Sequence, residues 1–161
     1  MSGQMSSTVN LADALEAECA GYQALLDLLH TEQEALRNTD ADALVGLAAA
    51  KAQYVDTLRR LANDRSQRLV AAGLPVTAAG MDMWIARNAE PQRAQELCLI
   101  LVSLAKAAIA QNELNGRLLA IQRGFVDRAA AALWQAAGGT VVYGADGRPH
   151  RAGPARARAA V

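Results

Sequence analysis

Apolar residues recur along this chain at three- and four-residue steps, and the steps lapse at only a few places. From Leu11 they land on Leu11, Leu15, Glu18, Tyr22, Leu25, Leu29, Glu32 and Leu36, with Cys19, Leu26 and Leu28 widening the stripe. That spacing puts one apolar face along a helix and predicts a long amphipathic helix of coiled-coil character over about residues 9–37. Thr39 with Asp42 three residues on reads as a capping-box-like start. The second helix, about 40–72, carries Leu44, Leu47, Val55, Leu58, Leu61 and Leu69 on one face, and Gly73 with Pro75 stops it. Residues 74–90 are weakly patterned. They fit a short connecting helix, about 78–88, with Met81, Trp84 and Ile85 on one side, tucked over the end of the hairpin.

Pro91 suits the first turn of the next helix, where its missing N–H costs nothing. This third long helix is expected over about 91–137, with a seam of Leu97, Leu101, Leu104, Ala108, Gln111, Asn115, Leu118, Gln122, Phe125 and Ala129. At ~1.5 Å per residue it spans ~70 Å, against ~40–50 Å for each hairpin helix. Its C-terminal third should therefore overhang the hairpin. Gly138-Gly139 ends it, and "TVVYGADGRP" follows as an extended segment with a turn at Asp146-Gly147. The fold class is all-α: an antiparallel helical hairpin, a long third helix and a flexible C-terminal tail over about 138–161, all in one domain. No solenoid-type repeat is visible.

"QNELNGRLLAIQ", residues 111–122, breaks the seam with polar residues and a glycine. A mid-helix glycine costs ~1 kcal/mol relative to alanine, which this chain uses freely elsewhere. Three readings compete. Asn115-Gly116 could cap and end the helix, but Leu118, Leu119, Ile121, Phe125 and Val126 resume helical spacing at once. A polar layer could fix register between helices, a known use of asparagine in a seam. Or the helix leaves its own bundle here, and glycine lets another backbone come close. The position of the step, where the overhang should begin, favours the last reading or a mixture of the last two. Phe125, Val126, Leu133 and Trp134 then lie on an uncovered apolar end, the mark of a partner site or a homodimer seam. The expected binding residues are Asn112, Asn115, Gly116, Leu118, Leu119, Gln122, Phe125, Val126, Leu133 and Trp134.

Composition sharpens the picture in one respect. The 161 residues are 52% hydrophobic but only 4% aromatic, and the alanine share favours thin, elongated helices over a thick core. Formal net charge is zero, which gives no sign of a nucleic-acid or membrane-surface binder. Its distribution is uneven. Lys51, Arg59, Arg60, Arg65 and Arg68 make the second helix basic against an acidic first helix, as suits an antiparallel pair. Arg148, Arg151, Arg156 and Arg158 give a short basic end. Cys19 and Cys98 form no C-x-x-C and read as semi-buried thiols in a reducing compartment. The polar N-terminus lacks a signal-peptide pattern, and no charge-free stretch approaches membrane-spanning length. The expected location is the cytoplasm.

Catalytic chemistry finds little support. A di-iron bundle needs two Glu-x-x-His motifs; the chain offers one Asp27-x-x-His30 and a second histidine only at His150. No phosphate loop, nucleophile–histidine arrangement or H-E-x-x-H appears. No enzyme, metal or cofactor is expected.

"QNELNGRLL", followed by a long helix and then "VYGADGR", resembles the flagellar type III export chaperone family FlgN. The N-x-x-N-G and Y-G-x-D-G elements stand in the family's order and roughly its spacing. "EQEAL" in the first helix, Lys51 in the second and the tryptophan before the third are similar too. The resemblance covers about Leu11 to Arg148. It implies a cytoplasmic chaperone that binds C-terminal helical segments of the hook–filament junction proteins FlgK and FlgL, prevents their aggregation and delivers them to the export gate protein FlhA. An amphipathic substrate helix would lie along the third helix, and Tyr143, Gly144, Asp146 and Gly147 would dock on the gate. The free chaperone could close its apolar stripe as a homodimer. The rival reading is a self-associating coiled-coil scaffold or secretion-apparatus subunit.

Overall fold

The computed structural model describes residues 3–137, 140–143 and 149–152, with side chains described from residue 11 to residue 137. Four helices form: α1 (Gly3–Arg37), α2 (Ala41–Ala71), α3 (Ala78–Arg87) and α4 (Pro91–Ala136). Two short strands follow, β1 (Thr140–Tyr143) and β2 (Pro149–Ala152). The fold class is the all-α bundle the periodicity predicts. The chain divides into two compact units, Met1–Gly116 and Arg117–Val161, so the unit boundary falls at the Asn115-Gly116 step.

In the first unit α1 and α2 run antiparallel, and opposite charges key their register. Arg65 holds Glu18 at 2.7 Å, and Lys51 holds Glu32 at 2.6 Å. Glu18 and Glu32 sit at stripe positions that a coiled coil normally gives to leucine, and both are buried. Their cations come from the facing helix, so neither carboxylate is left unpaired out of water, where it would cost several kcal/mol. α4 runs beside α1 in the same direction: Arg93 pairs with Glu16, the Cys19 thiol reaches the Leu97 carbonyl, and Asn115 reaches Leu29 and Glu32.

The helix ends follow local chemistry, with one departure from expectation. Thr39 does not cap α2. Its φ is +55°, closing α1 in the left-handed region, and Asp40 takes the cap instead by accepting the Ala43 N–H at 3.0 Å. Aspartate's short carboxylate fits that task, whereas a cap residue needs a negative, non-helical φ that Thr39 lacks. Gly73, at φ +70°, ends α2 as anticipated, and the Leu74 N–H reaches back to the Leu69 carbonyl. Thr77 starts α3 by accepting the Gly80 N–H, and a Cβ on Gly80 would sit 1.8 Å from the Pro75 carbonyl oxygen.

The largest apolar cluster lies where the sequence put the short helix. Trp84 packs with Leu11, Leu15, Leu69, Leu74 and Ala94, with Met81 and Ile85 half-buried against it. Burying each large side chain contributes about 1.5–3 kcal/mol. The Trp84 Nε1–H meets no acceptor among the described residues, which costs about 1–3 kcal/mol. A second cluster joins Leu25, Leu29, Leu58 and Ala108 nearer the middle of the hairpin.

In the second unit, the extended segment expected after Gly139 is strand β1, and it is paired rather than trailing. Thr140 lies opposite Ala152 and Tyr143 opposite Pro149 in an antiparallel ladder. Val141, Val142 and Tyr143 favour the pleated conformation. Gly144, Asp146 and Gly147, with the expected turn, lie outside the described residues.

Candidate functional site

The polar step at residues 111–115 turns out to be a hydrogen-bonded layer that ties three helices together. Asn115 is 2% exposed. Its Nδ2 donates to the Leu29 carbonyl at 2.7 Å and to Glu32 Oε2 at 2.9 Å, and its Oδ1 accepts from Gln111 Nε2 at 3.0 Å. Glu32 Oε1 in turn accepts from Lys51 Nζ, which also reaches Asn112 Oδ1 at 3.3 Å. Every polar atom of the Asn115 side chain is thus engaged inside the first unit, as a buried amide requires. Asn115 meets its partners within the chain and presents no surface to an incoming one. Asn112 is exposed, at the edge of the same layer.

Gln111, Glu32 and Lys51 are the members of this layer that the expected site left out. A signal for them was present. Glu18 and Glu32 break the α1 stripe two heptads apart, and a carboxylate at a seam position needs a donor from a neighbouring helix.

α4 is continuous through Gly116, so the helix break does not occur. Gly116 is exposed, and a Cβ built there meets nothing within 4 Å. Among the described residues, neither a turn nor packing calls for a glycine at that position.

Apolar side chains are unusually exposed along α4. In the first unit Leu99 is 62% exposed and Ile109 60%, with Ile100, Val102 and Leu114 also exposed. An eighteen-residue window of α4 reaches a mean hydropathy of 1.5 with 6% of it buried, so by length and composition this helix could cross a membrane. In the second unit Leu119, Ile121, Phe125, Val126 and Leu133 are exposed, Leu133 at 72%. The Arg128 guanidinium stacks over the Phe125 ring, 4.8 Å from its centroid. Leu118, Gln122 and Trp134 are half-buried. Leu119, Val126 and Leu133 recur every seven residues and Leu118 and Phe125 seven apart, so each set lines one side of the helix. Tyr143 is the last residue of β1.

Within the first unit an apolar groove of about 400 Å³ runs between α2 and α4 over α1. Leu25 and Leu29 floor it; Ala52 and Val55 form one wall and Ala108 and Ile109 the other, with Lys51 and Asn112 at its edge. Among the described residues, no group of histidine, cysteine or carboxylate side chains could hold a metal ion. Burial, followed by the Glu18 and Glu16 carboxylates, pushes the Cys19 thiol up; burial also pushes Cys98 up, against the pull of Arg65. Neither cysteine has the lowered pKa of a nucleophile.

Comparison with known proteins agrees with these features. A family model described as FlgN protein matches residues 1–151. The crystal structure of a putative flagella synthesis protein FlgN from Pseudomonas aeruginosa is similar in fold, with a TM-score of 0.61 and 23% identity, covering 66% of this chain and 84% of that one. No curated protein matches. With a family match over residues 1–151 and a fold built on four helices, the chain belongs to the FlgN family of flagellar export chaperones.

Proposed function

We propose that this protein is a cytoplasmic export chaperone that binds C-terminal helical segments of hook–filament junction proteins of the FlgK and FlgL kind. It keeps them from aggregating and brings them to the export gate protein FlhA. The observation that carries the reading is Gly116, a helix-weakening residue in open space at the head of an exposed apolar helix face. Glycine there lets a second helix backbone approach α4, as small residues do wherever helices pack closely. Leu118, Leu119, Phe125, Val126 and Leu133 are the apolar anchors, with Asn112, Gln122 and Trp134 bordering them. Asn115 contributes by locking the register of α4 on α1 rather than by touching the substrate. An amphipathic substrate helix gains its affinity from a few such anchors. The role is binding, with no chemical step. Tyr143, with Gly144, Asp146 and Gly147 after it, forms the gate-docking element, because a tyrosine combines a large rigid area with one hydroxyl.

Size-exclusion chromatography with light scattering, with and without a junction-protein C-terminal segment, tests this. The expected result is a complex of defined stoichiometry that survives the column. A fixed oligomer indifferent to the segment would mean a scaffold, and partition of the free chain into lipid vesicles would mean that α4 serves a membrane; either outcome overturns the proposal.

A further inference from the structure

We infer that the helix captured on residues 117–136 of α4 carries carboxylates along one edge of its apolar stripe, set about three turns apart to meet Arg117 and Arg128. The inference rests on the capture reading above and adds which charge the partner must bring. Within residues 117–136 the cations are Arg117, Arg123 and Arg128, and the one acid is Asp127. All four side chains are exposed, and among the described residues none of them is in an ion pair.

The arginines fall in a pattern. Arg117 and Arg128 are eleven residues apart, so both stand on the same edge of the helix, ~16 Å from each other. Ile121, 57% exposed, lies between them along that edge. The Arg128 guanidinium over the Phe125 ring fixes that cation beside an apolar anchor. Its planar fork can take a carboxylate through two hydrogen bonds while its face stays on the ring. Arg123 borders the opposite edge, where Asp127 stands one turn on and offsets it. The Arg117–Arg128 edge has no carboxylate of its own in this stretch.

A helix is the occupant that fits. The three- and four-residue rhythm that sets Leu97 and Leu101 on the Leu11–Leu15 cluster, Ala108 beside Leu25 and Asn115 on the Leu29 carbonyl runs on in sequence through Leu118, Phe125 and Leu133. A helix, α1, covers the first half of that stripe, and the same spacing calls for another over the second. A second copy of residues 117–136 would bring a surplus of like charge, so the complementary partner is acidic at its flanks.

The test is calorimetry on the full chain with two capped peptides of three heptads, whose ~30 Å matches residues 117–136. Both carry leucine at a and d; one has glutamate at e and g, the other lysine, and like charges keep each from pairing with itself. The glutamate peptide should bind about tenfold or more tightly than the lysine peptide, with a gap that narrows as salt is raised. Arg117→Gln and Arg128→Gln should each weaken the glutamate peptide about two- to fivefold at unchanged Tm, and Arg117→Glu/Arg128→Glu should reverse the preference. Equal affinity for the two peptides, binding of neither, or an unreversed preference in the double variant would overturn the inference. If Phe125→Ala still weakens both peptides in that event, the apolar capture face stands without its charge selectivity; if Phe125→Ala changes nothing, the capture reading goes with it. Tighter binding to phosphatidylglycerol vesicles than to the glutamate peptide, lost in the double variant, would assign the arginines to lipid and also overturn the inference.

Discussion

Replacing Asn115 by alanine removes the centre of the polar layer and tests whether that layer holds the first unit together. The variant loses two donated hydrogen bonds, to the Leu29 carbonyl and to Glu32, and one accepted from Gln111. A neutral hydrogen bond contributes about 0.5–1.5 kcal/mol net, and one to a charged group about 1.5–3. Glu32 keeps Lys51 but loses its second donor while remaining buried. The expected destabilisation is therefore about 2–4 kcal/mol, a fall in Tm of roughly 5–15 °C. Urea unfolding followed by far-UV circular dichroism measures it as a shift in midpoint at constant slope. Asn115→Leu should also destabilise, because an apolar side chain gives Glu32 no donor. The Asn115→Ala/Glu32→Ala double cycle should show coupling of about 1 kcal/mol or more. A loss below about 0.5 kcal/mol in Asn115→Ala, or a more stable Asn115→Leu, would refute the reasoning and leave the layer a matter of register alone.

Gly116→Ala should raise stability by about 0.5–1 kcal/mol, since the new methyl meets open space, while weakening capture of a junction-protein helix; unfolding and calorimetry on one preparation check both halves. Phe125→Ala and Leu133→Ala should each weaken that capture by at least about 1 kcal/mol without lowering Tm, because both side chains are exposed in the free chain. Tyr143→Ala should leave folding and substrate binding intact but reduce pull-down of the chaperone–substrate complex by the gate's cytoplasmic domain. Cys19 and Cys98 should react with a disulfide reagent at pH 8 more slowly than an unfolded control and speed up with rising pH, since burial favours their neutral thiols.

Helical periodicity determined most of the architecture. Stripes read at three- and four-residue steps placed α1, α2, α3 and α4 to within a few residues at most ends, because helix formation depends on which residues share a face and on local stop signals such as Gly73 and Pro91. The exposed apolar run from Leu119 to Leu133 was legible for the same reason. Thr39 against Asp40 was not, since two adjacent capping residues differ only in the backbone conformation the turn imposes.

The polar step had several readings in sequence, and tertiary structure separated its residues. Asn115 proved to be a structural amide because Glu32 and Lys51, far away in the chain, converge on it from α1 and α2. Gly116, one residue on, faces open space. Periodicity assigns a residue to a helix face, but what stands opposite that face depends on how separate helices pack. For the same reason the orphaned Trp84 N–H could not be foreseen: each residue of its cluster looks ordinary in its own segment, and only packing brings them to one place.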